Sequence, residues 1–444
     1  MTASTTTTVR TDTEKRELRK VLWSAWLGTA IEFYDFALYT AMATLVLGPL
    51  FFNNLDPLVA TIASLSTLAL GYIVRPLGAI IFGHFGDRLG RKVSLVVTML
   101  LMGGATTAIG LLPTLDQIGQ LAPILLIVLR ILQGIGVGGE WGGAALMAYE
   151  HAPKERRGFA GSVVNAGTPA GVVLASGVLA LFLLLPADQF NSWGWRVPFL
   201  LSALLVVFAL WIRLKVSESP VFLQEVKENG RDRVPLLRVL KSPFGAILTL
   251  LVAVSPFVYN SLVNSFGLLW AVEGGQLQRS DVLFAQTIAA LANIPLALFF
   301  GWLSDRVGRK LVIGAGMVGA ALYSMVFLLL LQSGNLGLTV LAYVGAVVFM
   351  AAMFGPISAF ISELFSAKAR YTGASLGYQL ASTIGGLAPA IFSSFLVAGL
   401  GQTAVWVSAV MLGMGLLSLI FLLIARPYRT VVEPAAPASV PVGA

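Results

Sequence analysis

Cysteine is absent from this 444-residue chain, so it holds neither a disulfide nor a thiolate metal site. Histidine is nearly absent: His84 and His151 are the only two, too few and too far apart to suggest a metal cluster. The sequence has no Gly-rich nucleotide loop of the Walker type and no metal or nucleophile cluster, which speaks against an ATP-driven pump and against an enzyme. Charge is scarce as well. Only 11% of residues are charged, against about 25% in a soluble domain. With 57% hydrophobic residues and a mean hydropathy of +0.85, the chain needs lipid as its solvent.

A spanning helix takes about 20 mostly apolar residues. On that ruler twelve candidates appear: 21–48, 57–83, 93–113, 121–149, 159–185, 195–214, 244–271, 281–303, 311–331, 337–362, 371–398 and 403–425. The first begins near Val21 and is longer than the roughly 7–15-residue core of a secretory leader, so it reads as a retained span. Most connections are short and carry Pro, Gly, Asn or Asp. The long one, 215–243, links two six-helix halves. The expected organisation is an N-terminal tail 1–20, a bundle 21–214, the central loop 215–243, a second bundle 244–425 and a tail 426–444. The soluble pieces are too small to fold alone.

The net charge of +8 is explained by position and not by nucleic acid. Of 29 basic residues, 25 fall in the N-terminal tail, the alternate loops, the central loop and the C-terminal tail. Arg10, Arg231, Arg233, Arg213 and Arg429 are in that count. This positive-inside pattern places both termini in the cytoplasm. Arg196 and Arg279 fall outside it, and Arg75 and Arg130 lie within spans.

Gly83-His84-Phe85-Gly86-Asp87-Arg88-Leu89-Gly90-Arg91-Lys92 is a polar turn between apolar runs. A near copy returns as Gly301-Trp302-Leu303-Ser304-Asp305-Arg306-Val307-Gly308-Arg309-Lys310, 218 positions later. Glu150 and Arg157 are likewise echoed by Glu363 and Arg370. Two halves in the same orientation make parallel repeats related by an axis along the membrane normal.

These residues carry a family resemblance. Gly83-x-x-x-Asp87-Arg88-x-Gly90-Arg91-Lys92 resembles the loop signature between helices 2 and 3 of the major facilitator superfamily. Arg130-Ile-Leu-Gln133-Gly134-Ile-Gly136-Val-Gly138-Gly139-Glu140 resembles its fourth-helix motif. Gly28–Phe36, Arg156–Ser162, Gly194–Phe199 and Glu218–Phe222 are similar to the metabolite:proton symporter branch. Glu363–Ser375 looks most like its shikimate-transporter side, with the proline/betaine and α-ketoglutarate transporters as further kin. Phe33, Val164-Asn165 and Ser366 depart from the pattern. The resemblance implies an all-α polytopic membrane protein of twelve transmembrane helices in two parallel six-helix repeats, the major facilitator fold. It further implies that Gly83, Asp87, Arg88, Gly90, Arg91, Glu150 and Arg157 latch the outward-facing state. Asp305, Arg306, Gly308, Arg309, Glu363 and Arg370 would form the mirror latch.

Charges inside a bilayer mark ion or substrate pathways, and here they are lopsided. Glu32, Asp35, Arg75, Arg130 and Glu140 all sit in spans of the first half. Glu32 and Asp35 share a helix face and repel when both are ionised. That suits a proton carrier; the alternative is an ion pair holding helices together. Arg75 and Arg130 offer a planar fork for a carboxylate, or else a structural pair with Glu32, Asp35 or Glu140. Glu140, in a run of glycines, needs a polar partner or serves as a further proton site. Asp87 is placed to cap the span that follows it, and Arg91 to reach Glu150. The second half offers only uncharged candidates: Tyr259, Asn260, Asn264, Trp270, Gln286, Asn293, Tyr378 and Gln379, with Asn165 opposite. Each is a cavity wall or a packing residue. Tyr34, Phe36, Tyr39 and Trp141 either cage a quaternary ammonium or pack.

The leading expectation is a monomeric secondary transporter in the plasma membrane, the inner membrane of a bacterium. It would take up a small organic acid with a proton by alternating access, without a cofactor. An osmolyte importer for betaine or proline, an efflux antiporter and a non-transporting sensor are the alternatives.

Overall fold

The computed structural model describes residues 12–229, 235–241, 243–275, 277–395 and 400–428. Arg10, Arg231, Arg233, Arg429 and most of the C-terminal tail lie outside the described residues. Among those described there is no strand. The first set of helices is α1 (Asp12–Met42), α2 (Pro57–Ile73), α3 (Arg75–Leu89), α4 (Arg91–Leu111), α5 (Leu121–His151), α6 (Arg157–Phe182) and α7 (Arg196–Leu214). Two short helices, Pro220–Asn229 and Pro235–Lys241, occupy the connecting segment. The second set is α8 (Phe244–Ser261), α9 (Gly267–Gly275), α10 (Arg279–Val307), α11 (Arg309–Leu331), α12 (Leu336–Ser362), α13 (Arg370–Ser394) and α14 (Leu400–Ile424).

Ten helices among the described residues are long and apolar enough to cross a membrane, and eleven if the bent pair Asp12–Met42 and Leu45–Phe51 counts as one span. The helix α13 is 25 residues long but falls short on composition. The reason is its buried polar face: Thr372, Ser375, Gln379 and Ser382 are all at most 2% exposed. Lipid-facing sides carry the opposite chemistry, with Leu204, Val207, Leu322 and Leu423 all about two-thirds exposed. Only where backbone groups are internally satisfied can such a chain cross hydrocarbon.

Two proline breaks illustrate that rule. Pro76 near the start of α3 cannot donate to the carbonyl of Tyr72, four residues back. Thr383 Oγ1 of α13 donates to that carbonyl instead, at 3.0 Å. Pro389 likewise frees the carbonyl of Gly385, and Ser261 Oγ of α8 donates to it at 2.6 Å.

Within the first set, α1 packs on α6, and α4 on α5 and α7. Within the second, α8 packs on α13, and α12 on α10 and α11. The sets meet along α6 with α10 and α12, and along α3 and α5 with α13. Close approach is built by glycine. A Cβ on Gly138 of α5 would collide with the carbonyl of Arg75 on α3, as small residues at helix seams allow. Gly138→Val is therefore expected to cost about 1–3 kcal/mol through overpacking. Gly104→Val, in open space, should cost little; thermal unfolding of the purified variants compares the two.

Candidate functional site

The buried charges of the first set fall into three arrangements. Glu140 (α5) is fully matched. Arg213 Nη2 donates to its Oε1 at 2.8 Å and Nη1 to its Oε2 at 3.2 Å, and Thr98 Oγ1 adds a bond at 2.9 Å. Arg213 also donates to the carbonyl of Leu95 at 3.0 Å. Arg213 was counted above among the cytoplasmic charges; its side chain instead turns inward and is 2% exposed. A signal was available: it lies inside the apolar stretch 195–214, and Glu140 required a cation.

Asp35 (α1) and Arg130 (α5) do not touch. They are joined by two neutral side chains: Arg130 Nη1 donates to Gln133 Oε1, Gln133 Nε2 to Thr106 Oγ1 at 2.8 Å, and Thr106 Oγ1 to Asp35 Oδ2 at 2.7 Å. Asp35 is fully buried, and its Oδ1 has no hydrogen-bond partner among the described residues. The Arg130 guanidinium lies 3.6 Å from the Tyr39 ring centre. Thr106 was not singled out in the sequence, and Gln133 entered only as part of the fourth-helix motif, because their link depends on which helices meet in space.

Glu32 (α1) and Arg75 (α3) form the third group. Glu32 is 5% exposed and has no hydrogen bond or ion pair among the described residues. Arg75 lies over the rings of Tyr72, at 4.1 Å, and Phe36, at 5.6 Å. It donates to Ser382 Oγ of α13 at 3.3 Å, so this cation bridges the two sets.

The second set presents neutral groups. Tyr378 stacks face to face on Trp141, ring centres 3.3 Å apart, closing the seam between α13 and α5. Trp141 Nε1 donates to Asn165 Oδ1 at 3.4 Å, and Asn165 Nδ2 to the carbonyl of Phe354. Gln379 Oε1, the Tyr259 hydroxyl and Asn293 Oδ1 are buried without a hydrogen-bond partner among the described residues. Asn264 Nδ2 donates to Asn260 Oδ1 at 2.9 Å, and Gln286 Nε2 to the Asn264 carbonyl at 2.9 Å. Trp270 donates to the carbonyl of Leu328 at 2.9 Å and is packed. Of the two readings of Tyr34, Phe36, Tyr39 and Trp141, a cage or packing, the structure shows packing: the four rings do not converge. The Tyr34 hydroxyl donates to the carbonyl of Pro198 at 2.7 Å, Tyr39 hydrogen-bonds Thr67, Phe36 faces Tyr72, and Trp141 faces Tyr378. Tyr34 and Tyr39 are both fully buried.

At one end of the bundle the two polar turns cross over. Asp87 Oδ2 accepts from the amide of Thr372 at 2.9 Å and its hydroxyl at 2.8 Å, and Oδ1 accepts from the amide of Tyr371 at 3.2 Å. Asp87 thus caps α13 of the opposite set. This corrects the expectation that it caps the next helix, whose first amides are taken by Glu218 at 3.1 Å. Asp305 mirrors it, accepting from the amides of Gly158 at 2.7 Å and Phe159 at 2.8 Å at the start of α6. Around Asp87, Arg91 lies 3.5 Å from both Asp87 and Glu150, and Arg370 Nη1 donates to Glu150 Oε1 at 3.1 Å. Around Asp305, Arg309 pairs with Asp305 at 3.4 Å and with Glu363. Burial pushes the Glu363 carboxyl above the ordinary carboxylate range, and Arg309 and Arg157 pull it back. Arg157 Nη1 donates to the Tyr149 hydroxyl at 2.9 Å. Gly90 and Gly308 turn the chain at φ 119° and 99°, a region glycine alone enters freely. Arg88 and Arg306 point outward and are exposed.

Removing one partner of a buried ion pair leaves an uncompensated charge, a loss of about 3–5 kcal/mol. Arg213→Ala is therefore expected to abolish folded protein, and Arg213→Ala with Glu140→Ala to restore part of it. Size-exclusion yield and thermal unfolding report both.

Comparison with known proteins agrees with this architecture. Residues 21–244 match the family model described as sugar (and other) transporter, and residues 274–444 match that of the major facilitator superfamily. The inner membrane metabolite transport protein YhjE of Escherichia coli K12 is 39% identical over 412 residues, covering 90% of this chain and 93% of that protein. The shikimate transporter of the same organism is 37% identical over 381 residues, covering 83% and 85%. The structure of the proton:xylose symporter XylE bound to 6-bromo-6-deoxy-D-glucose superimposes with a TM-score of 0.77 at 19% identity, covering 93% and 96%. These relatives are transporters and not enzymes. The chain belongs to the major facilitator superfamily and is a multi-pass membrane transporter.

Proposed function

We propose that this transporter takes up a small organic acid together with a proton by alternating access. The observation that carries the reading is a contrast among buried charges. Glu140 is neutralised by a direct pair with Arg213, whereas Glu32 feels Arg75 without a hydrogen bond or ion pair among the described residues, and Asp35 has one unpartnered oxygen. Arg75, whose one hydrogen bond among the described residues goes to the Ser382 hydroxyl, stands ready for an anion. An ionised carboxylate without a directly bonded cation is costly in a low dielectric, so Glu32 and Asp35 are the groups to accept a proton. A substrate carboxylate on Arg75 would also contact Ser382, and so engage both halves at once. Protonation and substrate together remove net charge from the seam and let one half rock against the other. Asp87 and Asp305, with Arg91, Glu150, Arg309, Glu363 and Arg370, then act as latches that part when the inner side opens.

In this reading the chain has twelve spans, two parallel bundles joined by 215–243, and both termini in the cytoplasm. The location is a bacterial inner membrane, the protein works as a monomer, and the proton gradient replaces any cofactor. Support comes from the basic residues gathered at the latch end and from a relative named as an inner membrane protein. The shikimate transporter among the relatives favours an acid. The dispersal of the aromatic cage disfavours betaine.

Uptake into energised membrane vesicles tests this reading. Collapsing the proton gradient is expected to abolish accumulation, and so are Asp35→Asn and Glu32→Gln together. Arg75→Ala should raise the half-saturating concentration about tenfold to a hundredfold, the loss of one charge-assisted pair. Cyclic hydroxy acids should compete and betaine should not. Accumulation that ignores the gradient and the carboxylates would refute it.

A further inference from the structure

The two polar turns share a Gly-Arg-Lys sequence and nearly the same backbone, with Gly90 at φ 119°, ψ 152° and Gly308 at φ 99°, ψ 140°. Their surroundings differ. At the first turn the Glu218 carboxylate takes the amides of Arg91 and Lys92, each at 3.1 Å, and lies against Gly90. At the second, nothing among the described residues comes within 4 Å of where a Cβ on Gly308 would stand. The same cradle of helix-start amides therefore holds a carboxylate in one repeat, while in the other no described residue occupies it. Helix starts attract anions through unpaired amides and the helix dipole, and here the first repeat provides the bound example.

A second feature adjoins it. A groove of about 300 Å³ runs between α10, α11 and α12 on the lipid-facing side, walled by Phe300, Leu303, Val307, Leu311, Ala315 and Phe349. Val307 and Leu311 flank Gly308, Arg309 and Lys310, so the groove opens onto the cradle. Arg306, a motif residue outside the ion-pair network, is exposed at the same corner with its guanidinium 4.0 Å from the Trp302 ring centre.

We infer that this corner is a binding site for an anionic phospholipid. The phosphate sits on the amides of Arg309 and Lys310 with Arg306 beside it, and one acyl chain fills the groove. The apolar groove distinguishes a lipid from a free anion, which would use the cradle alone. Basic pockets between membrane helices are known homes for anionic headgroups. The site depends on the membrane setting and not on the proton or substrate reading. It stands next to the Asp305–Arg309–Glu363 cluster, so an occupying lipid bears on the second latch only.

The test is native mass spectrometry of the full-length protein in detergent with equal phosphatidylglycerol and phosphatidylcholine. The wild type is expected to retain phosphatidylglycerol preferentially. Arg306→Glu should weaken that retention by at least about fivefold, the effect of one charge near a headgroup. Ala315→Phe, which fills the groove from an exposed position, should weaken retention of both lipids. Arg88→Glu, beside the cradle that Glu218 occupies, should leave retention as it is. Equal retention of the two lipids by the wild type overturns the inference. So does an equal loss in Arg88→Glu and Arg306→Glu, or displacement of the lipid by inorganic phosphate alone, which would mark a free-anion site.

Discussion

Two aspartates hold the halves of this transporter together at one end by capping each other's helices. Asp87 closes the start of α13 and Asp305 the start of α6. A helix start leaves amides unsatisfied, and a carboxylate there gains from both hydrogen bonds and the helix dipole. Each cap contributes about 0.5–2 kcal/mol, enough to hold a closed end and little enough to release. The flanking ion pairs converge on the same two aspartates. Glu150 is shared by Arg91 of its own half and Arg370 of the other, so the network spans the seam more than once.

The interior above these caps is asymmetric. Glu32, Asp35, Arg75, Arg130 and Glu140 all belong to the first half, and the second half answers with hydroxyls, amides and aromatic rings. Within that group the chemistry is divided by partner. Glu140 with Arg213 is a closed, bidentate pair that fastens α5 to α7. Asp35 reaches Arg130 only through Thr106 and Gln133, so its charge is felt by the cation without a direct bond. Glu32 feels Arg75 but makes no hydrogen bond or ion pair among the described residues. A structural role fits the first, and a titrating role fits the other two.

Much of this was legible in the sequence because repetition and cost leave marks. A polar turn recurring at half-length announced two matching corners, each with an aspartate that caps a helix of the other set, and charges in apolar runs announced the buried cluster. The pairing of Arg91 with Glu150 followed from their positions at span ends, and that of Arg309 with Glu363 from the mirror cluster the family resemblance implied. What escaped reading depended on which chain segments meet in space. Asp87 was expected on the adjacent helix, since nothing local says that Glu218 from the connecting segment already holds those amides. Arg213 was counted with the loop charges, although the apolar stretch around it and the unmatched Glu140 together pointed inward. Tyr34 and Tyr39 read as cavity aromatics, yet their hydroxyls are drawn to a carbonyl and a threonine within the first half. The hydroxyls that repair the Pro76 and Pro389 breaks carry no pattern at all.

The central claim is that the crossed caps keep one end of the bundle shut. The absence of native cysteine makes it directly measurable with Ser375→Cys, a buried position on α13 facing Gly142 of α5. Its reaction with a polar maleimide, applied to inside-out vesicles, should be slow in the parent and markedly faster once Asp87→Ala and Asp305→Ala remove both caps. An unchanged rate with both caps gone would contradict the account.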